Sequence, residues 1–485
     1  MAKLSRSNLT QGALKALGIF GGVQMINIIC SILRTKLIAI WIGAAGVGLF
    51  GLYNSAIELL SVIFNLGMRN SAVRDIASAT ETETSRTVVV VRRWAWILGL
   101  IGLLVTVLIS PLLSEFTFGD GNHTVAFMII SIIILLSSVQ NGELAVLQGT
   151  QQLRRLARAS VSGVVVGVVI SIPMFYYWGI DSVLPALVVF SLATTIAVLL
   201  QRVSVAKPSP SVTIKETVER GRGFMILGIY LTVSAIVTNL ASYLFMSYLN
   251  HVGDTEVVGH YQAGFTLVNK YVGLIFTAIA MEYYPRLSQV GVSKRRTSTF
   301  VSHEMSIALW ILFPVIAIFV ALGEIIVTTL YSSEFLVVVP FIVWAIVGTI
   351  FRAISWCIAF VILARGDGKI YLLTETLSAI SCILLNIGAY KYWGLEGLGM
   401  AYLVWYVIYT IVVWVVYRYR YGLSLGNGMI RLILLVVVSA TVSTLGYIYM
   451  GWWIPAIIAL IALPYTYKHL IRRKSRIKQP VGSCH

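Results

Sequence analysis

Apolar runs recur from one end of the chain to the other, separated by short polar stretches. A run of about 18 residues or more crosses a ~30 Å hydrocarbon layer as a helix. Helices also satisfy their own backbone polar groups, which lipid cannot do. The pattern predicts fourteen spans. They cover residues 14–38, 47–68, 94–114, 124–148, 159–178, 183–201, 224–248, 258–282, 305–325, 338–364, 370–390, 397–417, 430–450 and 452–468. The fold class is therefore an all-α polytopic membrane protein.

Polar positions inside the spans fall on helical faces. Span 1 carries Gln24, Asn27, Ser31 and Arg34 at helical spacing, and span 2 carries Asn54, Glu58, Ser61 and Asn65. Span 8 carries Gln262, Thr266, Asn269, Lys270 and Thr277. Span 7 adds Ser234, Thr238 and Ser242, and span 10 adds Thr349, Arg352 and Ser355. For the Ser and Thr positions, hydrogen bonds between helices are the simpler expectation. For the cations Arg34, Lys270 and Arg352 a cavity is the better reading, because a charge in hydrocarbon is costly. Arg34 and Lys36 come late in their span, so either can snorkel outward; Lys36, off the Arg34 face, is better placed to do so and otherwise joins Arg34, Lys270 and Arg352 as a cavity cation.

Composition fits this picture. The chain is 58% hydrophobic and only 11% charged, with a mean hydropathy of +0.88, which excludes a soluble globular protein. The net charge of +17 does not mark a nucleic-acid partner, because the basic residues gather on one side of the predicted membrane. Of the 36 Lys and Arg, 31 lie in the inner loops and termini or at the inner edge of a span, only Lys391 falls on an outer loop, and Arg34, Lys36, Lys270 and Arg352 fall elsewhere within spans. By the positive-inside rule both termini are cytoplasmic. The outer loops carry Asp120, Asp181, Asp254, Glu256 and Glu396 instead. No cleavable leader is expected, since the first apolar run reads as a retained span.

Two stretches repeat. Tyr177-Trp178-Gly179-Ile180-Asp181 matches Tyr392-Trp393-Gly394-Leu395-Glu396, and Leu17-Gly18-Ile19-Phe20 matches Leu227-Gly228-Ile229-Tyr230. Gly48-Leu49-Phe50 matches Gly259-His260-Tyr261 at a similar offset. The expected layout is an N-lobe (1–201, spans 1–6), a cytoplasmic linker (202–222) and a C-lobe (223–420, spans 7–12). An appended helix pair (421–468) and a basic tail (469–485) complete it. Six spans per copy gives both lobes one orientation, related by a pseudo-twofold along the membrane normal, which is a transporter architecture.

Cavity cations suit an anionic substrate, since guanidinium binds phosphate oxygens bidentately and an ammonium acts as a point charge. The embedded acids Glu58, Glu143 and Glu375 either pair with embedded cations or carry a coupling ion, from a proton or sodium gradient. Glu282 and Glu304 near the inner surface read as solvated, as do most of His123, His251, His260, His303, His469 and His485. Catalytic motifs and metal-ligand clusters are not found in the sequence, so neither an enzyme nor a resident cofactor is expected. Cys30, Cys357, Cys382 and Cys484 show no disulfide or metal spacing.

Four motifs then resemble one family. They are Arg34-Thr35-Lys36 followed by Gly43 and Gly46-Val47-Gly48-Leu49, and Tyr284-Pro285-Arg286-Leu287-Ser288. The others are Leu330-Tyr331-Ser332-Ser333-Glu334-Phe335, and Ala364-Arg365-Gly366 leading into Tyr371-Leu372-Leu373-Thr374-Glu375. In order and spacing they resemble the polysaccharide flippases of the MOP exporter superfamily, and most nearly the Wzx-type O-antigen and enterobacterial-common-antigen translocases. A fourteen-span layout is also similar to the lipid II flippases of that superfamily. The resemblance implies a bacterial inner-membrane flippase for undecaprenyl-diphosphate-linked oligosaccharide, with a cavity open alternately inward and outward. Implied partners are the lipid-linked oligosaccharide, membrane lipids, and polysaccharide polymerase and chain-length machinery. Other lipid-linked precursors (lipid II or a teichoic-type chain), a cation–drug antiporter and a membrane glycosyltransferase are the competing readings.

Overall fold

The computed structural model describes residues 6–204, 212–219, 229–273, 275–276, 279, 283, 287 and 293–477. Two compact units partition the chain, Met1–Gly259 and His260–His485. Among the described residues there is no strand. The chain is an all-α, multi-pass membrane protein. Among the described residues, ten continuous helical runs are long and apolar enough to cross a membrane. Two of these runs, Leu153–Leu200 and Gly368–Arg420, each join two of the expected spans end to end.

The first unit contains α1 (Arg6–Trp41), α2 (Gly43–Asn65), α3 (Met68–Ser78), α4 (Glu81–Phe118), α5 (Thr124–Gly149), α6 (Leu153–Trp178) and α7 (Val183–Leu200). It also holds α8 (Ile229–Val252) and the start of α9 (Thr255–Phe265). Helix α4 packs on α5, α6 on α7, α5 on α7 and α2 on α8. The short α3 was not among the expected spans. It is polar overall but turns Met68, Ala72 and Ile76 onto Val88, Val91 and Ala95 of α4, and so closes the core at that end. The chain enters it through Leu66 and Gly67, both left-handed, which ends α2 and reverses direction.

In the second unit α9 widens into a π turn (Thr266–Tyr271). Helices α10 (Lys294–Ala321), α11 (Gly323–Leu330), α12 (Val339–Ala364), α13 (Gly368–Val415), α14 (Asn427–Met450) and α15 (Trp453–Ile477) follow. The expected appended pair is α14 and α15. Both pack on α10, and α14 also packs on α12. Thr466 Oγ1 donates to the Trp310 carbonyl at 3.1 Å, Thr444 Oγ1 donates to the Val343 carbonyl at 3.3 Å, and Trp310 stacks on His469 at 4.5 Å. The pair is thus an integral part of this unit's core.

The internal repeat has a backbone counterpart. Gly179 sits at φ 53°, ψ −133° and Gly394 at φ 58°, ψ −140°, each after a Tyr-Trp pair. An L side chain is strained there, so glycine sets the break between two spans in each copy. Gly48 and Gly259, matched in sequence, touch each other. A Cβ on Gly48 would meet the Gly259 nitrogen at 2.9 Å, and one on Gly259 the Gly48 nitrogen at 3.0 Å. Only glycine lets these two helix starts cross so closely.

Several sequence expectations change. Four Ser and Thr of the stripes bond back to carbonyls of their own helix rather than across to another. Ser234 donates to Tyr230, Thr238 to Ser234, Thr349 to Ile346 and Ser355 to Arg352. Ser61 is an exception, lying 3.3 Å from Ser137 Oγ. Glu304, expected to be solvated, is 9% exposed beside His303, on the helix α10 that packs against α12, α14 and α15. His123 is stacked on Phe118 at 3.7 Å and bonded to the Tyr53 hydroxyl at 2.8 Å, so it is a packed helix-end residue. Burial pushes its pKa down against the pull of Asp120. Glu282, the Leu227-Gly228 repeat half and Tyr284-Pro285-Arg286 with Ser288 lie outside the described residues.

Candidate functional site

Arg34 lies on α1, seven residues or about 10 Å before its end at Trp41. Its guanidinium sits between two rings, 4.8 Å from the Phe50 centroid on α2 and 4.6 Å from the Phe190 centroid on α7. Gly167 on α6 makes room for this clamp, since a Cβ there would meet Phe190 Cδ2 at 2.7 Å. The rings hold a cation by their quadrupoles without neutralising it. Arg34 Nε is sealed from solvent and has no hydrogen-bond partner, and among the described residues Arg34 is in no ion pair. Asn27, two turns earlier on the same face, has a buried Oδ1 that is also unpartnered. Gln24 is exposed, and Ser31 is half-buried with its carbonyl accepting from Thr35 Oγ1 at 2.9 Å. Lys36 is half-buried and engaged within the protein.

Arg352 on α12 has a comparable setting in the second unit. Its guanidinium lies 5.2 Å from the Phe276 centroid and 5.9 Å from that of Tyr406, and Tyr402 lies beside it. Tyr402 and Tyr406 are one turn apart on α13, so one face supplies both. Nη1 of Arg352 donates to the Asn269 carbonyl at 3.0 Å. That carbonyl belongs to the π turn. The side chain of Asn269 keeps a buried, unpartnered Oδ1. Lys270, next on the turn, is exposed, and Gln262 is half-buried. The π turn had no signal in the sequence, because inserting one residue into a helix barely alters its apolar spacing.

The other polar positions divide. Asn54 donates to the exposed Glu58 at 2.7 Å, and Asn65 Nδ2 donates to the Ser61 carbonyl at 2.7 Å while its Oδ1 is buried without a partner. Tyr409 donates its hydroxyl proton to Glu375. Glu143, 4% exposed on α5, is joined to no embedded cation. It lies 2.8 Å from Arg92 Nε and 3.0 Å from Arg202 Nε. The Ala364-Arg365-Gly366 motif is a turn. Gly366 has φ 70°, Arg365 lies 4.6 Å over Tyr421, and Asp367 accepts from Arg420 Nε at 2.8 Å and from the Tyr421 hydroxyl. Burial, with Asp367 adding to it, pushes the Tyr421 hydroxyl up to about 12.

Two aromatic-clamped arginines, one with an unpartnered Nε, suit an anion rather than a cation. The sequence family described as "Polysaccharide biosynthesis protein" matches residues 37–340, more than half of the chain. The chain belongs to that family. The lipid III flippase of Escherichia coli (strain K12) is 21% identical over 406 residues, covering 79% of this chain and 93% of the relative. The Shigella flexneri lipid III flippase gives the same values. Among solved structures, the lipid II flippase MurJ in an inward closed conformation superposes with a TM-score of 0.72 at 14% identity, covering 93% of this chain and 99% of that one. An inward-facing multidrug resistance MATE family transporter of the MOP superfamily gives 0.68 at 14% identity, covering 82% and 94%. The MOP-superfamily fold expected from the four motifs is therefore present.

Proposed function

We propose that this family member is an alternating-access flippase. It moves a diphosphate-headed, lipid-linked oligosaccharide of the O-antigen repeat-unit type from the cytoplasmic to the outer leaflet of the bacterial inner membrane. Both termini are cytoplasmic, as the basic loops indicate. The observation that carries the reading is Arg34, a guanidinium held at membrane depth between two rings, with an unpartnered Nε and no ion pair among the described residues. Such an atom is costly unless a ligand satisfies it. A phosphate oxygen is the natural acceptor, and Arg352 offers a second clamped guanidinium. The buried Oδ1 atoms of Asn27 and Asn65 in the first unit are suited to accept from sugar hydroxyls, as is that of Asn269 within the second. Similarity to the named lipid III and lipid II flippases supports a lipid-linked saccharide as cargo.

No bond is made or broken in this process. With the inside negative, outward movement of an anion gains roughly 2.3 kcal/mol per charge per 100 mV. The arginines chiefly lower the cost of stripping water from the diphosphate, while gradients set direction. Glu58 and Glu375, each held by one neutral donor, are the carboxylates suited to carry a coupling proton or sodium ion. Handover to a polymerase and chain-length machinery follows outside. The test is transbilayer movement in reconstituted vesicles of three probes: a polyprenyl-diphosphate oligosaccharide, lipid II and a neutral glycolipid. The first is expected to move fastest and the neutral lipid at the protein-free rate. Equal movement of the neutral glycolipid would overturn the reading.

A further inference from the structure

One cavity of the first unit, away from Arg34, combines cations with an apolar wall. It measures about 510 Å³, and its lining includes Arg92, Arg93 and Arg202 beside Trp96, Ile97 and Ile214. One wall is α4, and the other is the helical segment 214–219 of the linker. Arg92 and Arg202 share Glu143, while Arg93 Nη1 donates to the Val212 carbonyl at 2.9 Å and to Thr217 Oγ1 at 3.0 Å. Three guanidinium groups against one carboxylate leave the site cationic.

The apolar part is open rather than packed. Trp96 is 50% exposed and Ile214 is 81% exposed. Arg92 and Arg93 lie where a basic loop enters the membrane, and Trp96 follows within a turn, at the depth where tryptophan anchors to headgroups. A pocket that is cationic at one end and greasy at the other fits an amphiphile with a phosphate head. Basic pockets at the cytoplasmic border are the general form of such sites.

We propose that this pocket binds one anionic phospholipid of the cytoplasmic leaflet, with its phosphate on Arg93 and Arg202 and an acyl chain over Trp96 and Ile214. The volume suits a single headgroup with its upper chain. The bound lipid also bears on the linker, because Trp94 Nε1 donates to the Thr217 carbonyl at 2.7 Å and fastens the same segment to α4. The phospholipid thus joins the linker to α4 and makes that attachment sensitive to membrane charge.

The full chain, purified in neutral detergent, is titrated with phosphatidylglycerol, phosphatidylcholine, sodium phosphate and a polyprenyl diphosphate while its Tm is followed. Phosphatidylglycerol is expected to raise Tm in a saturable way, while phosphatidylcholine and sodium phosphate do not. Ile214→Glu weakens the apparent affinity about tenfold, and Ile214→Lys leaves it equal or tighter. Because the side chain is exposed, both variants are expected to keep the unliganded Tm of the wild type. Equal stabilisation by phosphatidylcholine or by free phosphate would overturn the proposal, as would equal weakening in both variants. Competitive displacement of phosphatidylglycerol by the polyprenyl diphosphate would assign the pocket to transported lipid instead and overturn the phospholipid assignment. The binding assay needs no transport, so its outcome is independent of the flippase reading.

Discussion

Arg34 and Arg92 belong to the same compact unit and meet opposite surroundings. Arg92 closes on a carboxylate that is almost wholly buried, at 2.8 Å. Arg34 closes on two rings and leaves its Nε unpaired. A buried ion pair spends its charge on structure, and breaking one partner leaves an uncompensated ion. A ring clamp holds the cation in place and leaves its charge available. The same side chain is thus held by an ion pair in one case and by two rings, with its Nε unpaired, in the other.

The largest expected effect comes from breaking the first arrangement. Glu143→Ala strands the nearly buried Arg92, while the half-exposed Arg202 turns to solvent, and should destabilise the protein by about 3 kcal/mol, read as a fall in Tm of the purified chain. Transport per folded molecule should change far less. A variant with normal Tm and abolished transport would place Glu143 among the transporting groups and erase the contrast with Arg34. Weakening the clamp is the smaller perturbation. Phe190→Leu removes one ring face, about 1 kcal/mol, and should slow flipping roughly fivefold with little change in Tm. A fall in Tm comparable to that of Glu143→Ala would show the clamp to be a packing device.

Much of this contrast was legible in the sequence. Arg34 stood out as a cation inside an apolar run, and the charge distribution that fixed the topology left it unaccounted for. The Tyr-Trp-Gly repeat foretold matching breaks at Gly179 and Gly394, because only glycine takes that backbone conformation. The rings were hidden. Phe190 is remote in sequence from Arg34, and a phenylalanine inside a span reads the same whether it faces lipid or a cation. The partners of Glu143 were hidden for a related reason: Arg92 and Arg202 were counted as loop charges, and only the packing of α4 on α5 brings one of them to the carboxylate. His123 and Glu304 sit at span ends, where sequence position does not tell a solvated group from one covered by a neighbouring helix.

The central claim is that Arg34 is held ready for a phosphate rather than for the fold. It is tested most directly by flipping of a polyprenyl-diphosphate oligosaccharide in vesicles holding equal amounts of folded wild type, Arg34→Lys or Arg34→Ala. Lysine keeps the charge but loses the planar fork, and should cost about tenfold, whereas alanine should cost about a hundredfold, with Tm unchanged in both. Flipping by Arg34→Ala at the wild-type rate would contradict the account.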